Sequence, residues 1–370
     1  MKVVFICSSL EPGHDGVGDY TRLLAGEIIK QGNLAAIVSV NDKYVDAVTI
    51  GRQEVNGIKV SVMRIPSGLA YNKWLVDAKA WVDGLNPEWL SLQFVPFGFH
   101  PKGLPFNLSK QLLFLSGDRK WHIMFHELWV GIAREESKKL HYWGLLQRAI
   151  IRSLLLKVKP SVIHTQTLLY QKLLDKLGFK AQLLPLFGNI PVVESQIDKT
   201  TNEISLVVFG LIHSGAPIHS FAREAAEYSR NNNVNIKLTF IGRCGAEQER
   251  WAEIWRSESL ELDIMAEQSA EKISAILSNS SMGISATALA VIEKSGTFAA
   301  MRDHKLAVIS VSKHWNPMGI AGLKAPDGIV EYSTGNFESC IKADLKSNPL
   351  SLTKIVADLT NSLSKTTTRG

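Results

Sequence analysis

Cysteine is scarce: the 370 residues hold three, Cys7, Cys244 and Cys340, far apart and without C-x-x-C spacing. That argues against a disulfide framework and a cysteine-based zinc site, and makes a reducing cytosol the expected compartment. No run approaches the ~18 apolar residues that a membrane span needs. The start, MKVVFICSS, enters a strand pattern at once and lacks the charged, apolar and cleavage regions of a signal peptide. Low-complexity tracts and short tandem repeats are absent. Acid is in slight deficit, 35 Asp and Glu against 41 Lys and Arg, a formal charge of +6. That excess suits an anionic small molecule or a membrane surface and does not call for nucleic acid.

What is present is a globular composition, 45% apolar and 21% charged, in a chain long enough for two domains. Strand-like and helix-like segments alternate. In the first half the strands read as Lys2–Cys7, Ala35–Ser39, Lys59–Arg64, Trp89–Gln93, Trp121–Phe125, Ser161–Thr165 and Ala181–Leu186. Helical spacing covers Tyr20–Lys30, Trp74–Leu85, Leu104–Phe114, Glu136–Lys157 and Leu168–Lys176. A polar joint, Ser195–Asn202, interrupts the pattern, which restarts at Ile204–Phe209 and repeats through Ala307–Val311. Such alternation predicts α/β architecture with parallel sheets: two Rossmann-like domains facing an interdomain cleft. The boundaries read as 1–198 and 203–345. A C-terminal helix within 346–370 is expected to pack back toward the first domain.

Three segments can carry chemistry. In Met1–Leu24 a buried strand leads through a loop with Gly13, Gly16 and Gly18 into a helix, aiming backbone N–H groups of Gly16, Val17 and Gly18 at one point. The same pattern also fits the first strand-to-helix turn of any α/β domain. WHIMFHELWV, Trp121–Val130, delivers His126 to the carboxyl end of a strand, where a histidine can donate to an oxyanion or hydroxyl; it can equally cap its own loop. In Ser285–Ala300 a loop with Glu293 and Lys294 opens a helix whose Ser295, Gly296 and Thr297 N–H groups suit a second anion. A nicotinamide dehydrogenase is disfavoured, because the first loop lacks G-x-G-x-x-G spacing and no clear acid ends the second strand.

Together these segments resemble the GT-B fold glycosyltransferases, specifically retaining family 4 and its bacterial polysaccharide-building relatives. The resemblance runs through PGHDGVGDYTR (Pro12–Arg22), SLQFVPFGFHPKG (Ser91–Gly103), FHELWV (Phe125–Val130), LPLFGNIP (Leu184–Pro191), VFGLIHS (Val208–Ser214) and EKSGTFAAMRDHKLAVI (Glu293–Ile309). It implies transfer of a sugar from a nucleoside-diphosphate sugar, UDP favoured, to a hydroxyl of a glycan or lipid-linked acceptor. No further cofactor is implied, and without a D-x-D motif no metal is implied. His126 would hydrogen-bond the donor sugar, Glu293 would hold its hydroxyls, and Met265 and Ala266 would lie beside the nucleobase. Glu194 is a further carboxylate near the hinge, or simply a charged linker residue. The implied location is the cytoplasm, with the option of peripheral contact on the inner membrane face through the basic helix Glu136–Lys157; core packing also explains that helix.

The chain departs from the family pattern twice. The second glutamate of the family's E-x7-E pair is missing, its helical position falling at Ala299 or Ala300. The usual Arg and Lys after the Val208–Gly210 strand are not evident either, which leaves His213, Arg243 and Lys294 as basic candidates for the diphosphate. Two alternatives follow: a GT-B UDP-sugar epimerase, or a non-catalytic nucleotide-sugar-binding relative.

Overall fold

The computed structural model describes residues 1–193 and 202–365, and the chain divides into two compact units. The first contains Met1–Leu184 and the chain from Leu352 onward; the second contains Pro185–Ser351. The division thus falls inside LPLFGNIP, ahead of the polar joint, most of which lies outside the described residues.

The first unit runs β1 (Lys2–Cys7), α1 (Gly16–Lys30), β2 (Leu34–Asp42), β3 (Thr49–Val55), β4 (Ile58–Pro66), α2 (Tyr71–Leu85), β5 (Trp89–Phe94), α3 (Pro96–Phe99), α4 (Leu108–Ser116), β6 (Lys120–Phe125), α5 (Lys138–Val158), β7 (Val162–Thr165), α6 (Leu168–Lys176) and β8 (Gln182–Leu183). Its sheet has the order β3-β4-β2-β1-β5-β6-β7-β8, parallel except for the β3–β4 pair. Val3–Cys7 in β1 and all of β5 are buried, as central strands covered on both faces must be.

Several local elements differ from the sequence expectation. Helix α1 starts at Gly16, not Tyr20, because Asp15 caps it, its Oδ1 accepting from Val17 N–H (2.9 Å) and Gly18 N–H (2.8 Å). Strand β3 was not anticipated; it pairs antiparallel with β4 across the two-residue turn Asn56-Gly57, a hairpin signal that the sequence does carry. The expected strand Ala181–Leu186 shortens to two residues, Gln182–Leu183, ahead of Pro185.

Strand β2 runs on to Asp42, so an acid does end the second strand. It is not available to a ribose. Fully buried, Asp42 accepts from Arg64 Nε (2.8 Å), the Leu10 N–H (3.0 Å), Ser9 Oγ (3.1 Å), Ser39 Oγ (3.1 Å) and the Tyr44 N–H (3.1 Å). Burial alone would raise its pKa; the bonds from Arg64, Tyr44 and Leu10 outweigh it and hold the carboxyl below its usual range. The loop after β1 is thereby bolted to β2 and β4.

The second unit runs β9 (Glu203–Phe209), α7 (Ile218–Asn232), β10 (Asn235–Ile241), α8 (Glu247–Ser257), β11 (Glu261–Met265), α9 (Ala270–Asn279), β12 (Met282–Ser285), a 3-10 turn (Leu289–Lys294), α10 (Gly296–Asp303), β13 (Val308–Ser310), β14 (Ile329–Glu331) and α11 (Phe337–Ile341). All six strands are parallel, in the order β11-β10-β9-β12-β13-β14. Leu206 and Val208 enter a cluster with Phe221, Trp251 and Trp255, whereas Val207 enters another with Phe298 and Met301, so the sheet is covered on both faces. The unanticipated β14 and α11 are tied down by Glu224, which accepts from Tyr332 Oη (2.8 Å), Gly335 N–H (2.8 Å) and Phe337 N–H (3.2 Å).

The last helix, α12 (Leu352–Lys365), belongs to the first unit. It packs on α1, where Thr353 Oγ1 donates to Glu27 (2.8 Å), and buries Ile355, Val356, Leu359 and Leu363.

Candidate functional site

In the second unit the strand order reverses at β9, between β10 and β12, and a ligand crevice belongs at the carboxyl ends there. Three basic side chains gather at that end. His213 follows β9, Lys294 closes the 3-10 turn after β12, and Lys313 follows β13. His213 is exposed; partial desolvation by the surrounding chain first, then the charges of Lys294 and Lys313, push its pKa down. Lys313 was missed by the sequence reading, because it belongs to no motif and is brought there only by the return of β13 to the sheet. Gly215 lies against its side chain.

Beside these cations stands the start of α10. Ser295 Oγ caps it by accepting from Phe298 N–H (3.3 Å), and the Ser295 N–H is spent on Ile292 O (2.8 Å). Of the three N–H groups expected to face an anion, only those of Gly296 and Thr297 therefore take no partner among the described residues. The loop leaving β9 comes very close: a Cβ on Gly210, whose φ is +79°, would sit 2.6 Å from Thr297 Cγ2. Glycine there lets the main chain after β9 reach the helix N-terminus.

Other expected residues are engaged elsewhere. Glu293 lies on the 3-10 turn rather than in an open loop. Arg243 pairs with Glu267 at 2.9 Å, both mostly exposed. The Met265 and Ala266 carbonyls accept from Gly242 N–H (3.2 and 3.3 Å). Ala299, Ala300 and Met301, which span the position of the absent second glutamate, are fully buried in the apolar core. Glu194 lies outside the described residues.

In the first unit, the N-terminal turn of α1 is closed to a phosphate. Asp15 occupies the Val17 and Gly18 N–H groups, and a Cβ on Gly18 would meet Ser9 O at 2.5 Å. Here the glycine serves helix-to-strand packing, which corrects the expectation that Val17 and Gly18 offer open donors. Gly16 has open space around its α-carbon.

His126 is buried and heads a polar chain that runs through the sheet to α12. The direction of each bond follows from its far end. Ser362 Oγ donates to Leu359 O (2.8 Å) and accepts from His164 Nε2 at 3.5 Å, the loosest link. His164 Nδ1 then accepts from His122 Nε2 (2.9 Å), and His122 Nδ1 from Ser91 Oγ (2.7 Å). Ser91 Oγ accepts from Gln93 Nε2 (2.8 Å), and Gln93 Oε1 from His126 Nε2 (3.0 Å). His122 and His164 are thus neutral Nε2–H tautomers, and His126 donates through Nε2. Burial, reinforced by the neighbouring histidines, holds His122 well below its ordinary pKa, and burial brings His164 down to about 4. The Nε2–H of His126 is used within the protein, on Gln93 Oε1.

The first unit also has a cleft of about 290 Å³ at the carboxyl ends of β2 and β4, lined by Asn41, Trp74, His100, Phe106 and Gln111 among others. Among the described residues no group of three or more His, Cys, Asp and Glu is placed to hold a metal ion.

No protein-family model and no curated protein sequence matches the chain. Solved structures do. The chain is similar to HepE of Anabaena, solved with UDP and glucose: 12% identity, 99% of this chain and 100% of that one, TM-score 0.60. It is also similar to the catalytic domain of starch synthase IV from Arabidopsis thaliana, bound to ADP and acarbose (11% identity, 100% of each chain, TM-score 0.58). A third is the UDP-GlcNAc 2-epimerase of Methanocaldococcus jannaschii (11% identity, 98% of this chain and 100% of that one, TM-score 0.53). The fold is therefore the GT-B fold, two Rossmann-like α/β units in one chain.

Proposed function

We propose that the protein is a retaining, family 4-like glycosyltransferase that takes a sugar from a nucleoside-diphosphate sugar, UDP favoured, and gives it to a hydroxyl of a glycan or lipid-linked acceptor. The observation that carries this reading is the convergence of His213, Lys294 and Lys313 beside the open Gly296 and Thr297 N–H groups, at the reversal point of the second sheet. Two lysine cations, a histidine and two main-chain donors match the charge and lone pairs of a diphosphate.

In sugar transfer the bond from the anomeric carbon to the diphosphate oxygen breaks, and the diphosphate gains charge. Donors fixed in advance where that charge grows lower the barrier more than they tighten ground-state binding. Lys294, Lys313, Gly296 and Thr297 have that role. Lys313 takes the part expected of Arg243, which pairs with Glu267. His126 would hydrogen-bond the donor sugar, its ring held in place by Gln93. Glu293 would bind sugar hydroxyls, and the end of β11 at Met265 and Ala266 would border the nucleobase.

Epimerisation of a UDP-sugar is the second reading, since the same fold serves a 2-epimerase. A thermal-shift panel of UDP, GDP, ADP and their sugars tests the nucleotide: the true donor raises the melting point by mass action. Proton NMR of the UDP-sugar incubated without acceptor then separates the two activities. An epimer formed without acceptor means epimerase; a stable donor that is consumed on adding acceptor means transferase.

A further inference from the structure

Helix α5 is apolar on two sides. Its inner side buries Gly144, Ile151, Leu154, Leu155 and Val158. Its outer side exposes Tyr142 (70%), Leu145 (57%), Leu146 (49%) and Leu156 (50%). The spacing 142, 145, 146, 149, 156 is a helical stripe facing solvent, where a surface helix ordinarily carries polar residues. Helix α4 and its approach repeat the pattern with Phe106 (64%), Leu113 and Phe114 (both 44%). The two stripes meet, because a cleft of about 320 Å³ is lined by Phe106, Leu146, Ile150, Leu154 and Lys157 together.

The charges of this face are all of one sign. Lys138, Lys139, Arg148, Arg152 and Lys157 are exposed on α5; Lys110 is exposed on α4, and Lys102 is held near α5 by Trp143 Nε1 donating to its carbonyl (2.9 Å). No acid occurs in residues 101–117 or 137–159. None of these seven cations pairs with a carboxylate among the described residues. The nearest acids in sequence are Asp118, Glu135 and Glu136, beyond the helix ends.

We infer that the outer face of α4 and α5 docks on an anionic lipid surface, with the leucines and aromatics below the headgroups and the lysines and arginines at the phosphates. A contiguous exposed apolar patch marks an interaction surface. Unpaired cations flanking an apolar helical stripe are the pattern of a helix lying in a membrane interface. A second copy of the chain fits poorly, because a two-fold contact would press this acid-free face against itself. Phe106 also lines the cleft at the ends of β2 and β4, so docking would place that cleft next to the lipid. The inference rests on the surface alone and holds whether or not sugar transfer is found.

The test is co-sedimentation of the full chain with vesicles of phosphatidylglycerol and phosphatidylcholine, against phosphatidylcholine alone, across a salt series. Binding only to the anionic vesicles, weakening with salt, is expected. The triple variant Arg148→Glu, Arg152→Glu, Lys157→Glu should bind roughly tenfold or more weakly, and Leu145→Ser with Leu146→Ser should also lose binding. All five positions are surface residues, so unchanged melting points confirm the fold of the variants. Failure of the unmodified protein to bind anionic vesicles at low salt overturns the inference, as do variants that bind normally. Sedimentation velocity showing a dimer that the leucine variant dissolves gives the face to a second copy, and also overturns it.

Discussion

His122 and His164 meet ring to ring inside the first sheet, Nε2 to Nδ1 at 2.9 Å, and the pair links His126 at one end to Ser362 of the C-terminal helix at the other. Neither imidazole can take a proton without breaking the one-way run of bonds.

Acid should therefore weaken the first unit. The folded pKa of His164 is about 4 against an ordinary 6.5, and His122 is also well depressed. Between those values the unfolded chain binds protons that the folded one refuses, so stability is full above pH 6.5 and falls toward pH 4. For His164 alone the loss at pH 4 is about 3 kcal/mol. Urea unfolding across this range measures it, and His164→Gln should flatten the profile; an unchanged slope would contradict the assignment.

Asp42→Asn should cost about 1–3 kcal/mol, because it removes the buried charge from the Arg64 pair and weakens its hydrogen bonds, while Glu11 (2.7 Å) still pairs with the guanidinium. A loss under 1 kcal/mol in urea unfolding of the first unit would show that the brace contributes little. Its depressed pKa adds to the acid sensitivity in the same direction: the stabilisation is present above the ordinary carboxyl range and disappears as the pH drops through the folded value.

Gly210→Ala should lower the melting point and weaken UDP binding, since the added Cβ meets Thr297 Cγ2 and the backbone is left-handed. Thr297→Ser removes that methyl group and keeps the hydroxyl. The double variant should regain part of the lost affinity by calorimetry; no recovery would mean that the contact is not the cause.

UDP affinity should rise as pH falls from 8 to 6. In the free protein, partial desolvation and the two lysines disfavour the His213 imidazolium. A bound diphosphate offsets the lysine charges and favours the imidazolium, so binding takes up protons. Calorimetry in buffers of different ionisation enthalpy reads the uptake, and His213→Asn should abolish it.

His126→Ala should reduce turnover far more than donor binding, because the side chain is assigned to the sugar and not to the nucleotide. Comparing kcat with donor Kd decides it; intact turnover would remove His126 from the mechanism.

The α/β rhythm was legible because strands buried on both faces read as mostly apolar runs, unbroken in VVFIC and interrupted only by Ser91 and Gln93 in WLSLQF. Strand β3 escaped because one of its faces is exposed and TIGRQEV is polar. At the sites, sequence located the loops but not their hydrogen-bond economy. It could not show that Asp15 closes the N-terminus of α1, that Glu267 holds Arg243, or that Gln93 accepts the His126 Nε2–H hydrogen bond. These partners are set by side-chain geometry, and Gln93, Glu267 and Lys313 lie outside the motif positions assigned a role from sequence. Lys313 was invisible for the same reason.

The central claim is that Lys294, Lys313 and the start of α10 hold a diphosphate. Isothermal titration of UDP into the intact chain and into a Lys294→Ala, Lys313→Ala variant tests it most directly. Saturable binding that falls by about two orders of magnitude in the variant is predicted, at roughly 1–2 kcal/mol for each lost charge-assisted bond. Equal affinity in both proteins, or no nucleotide binding by the intact chain, would contradict it.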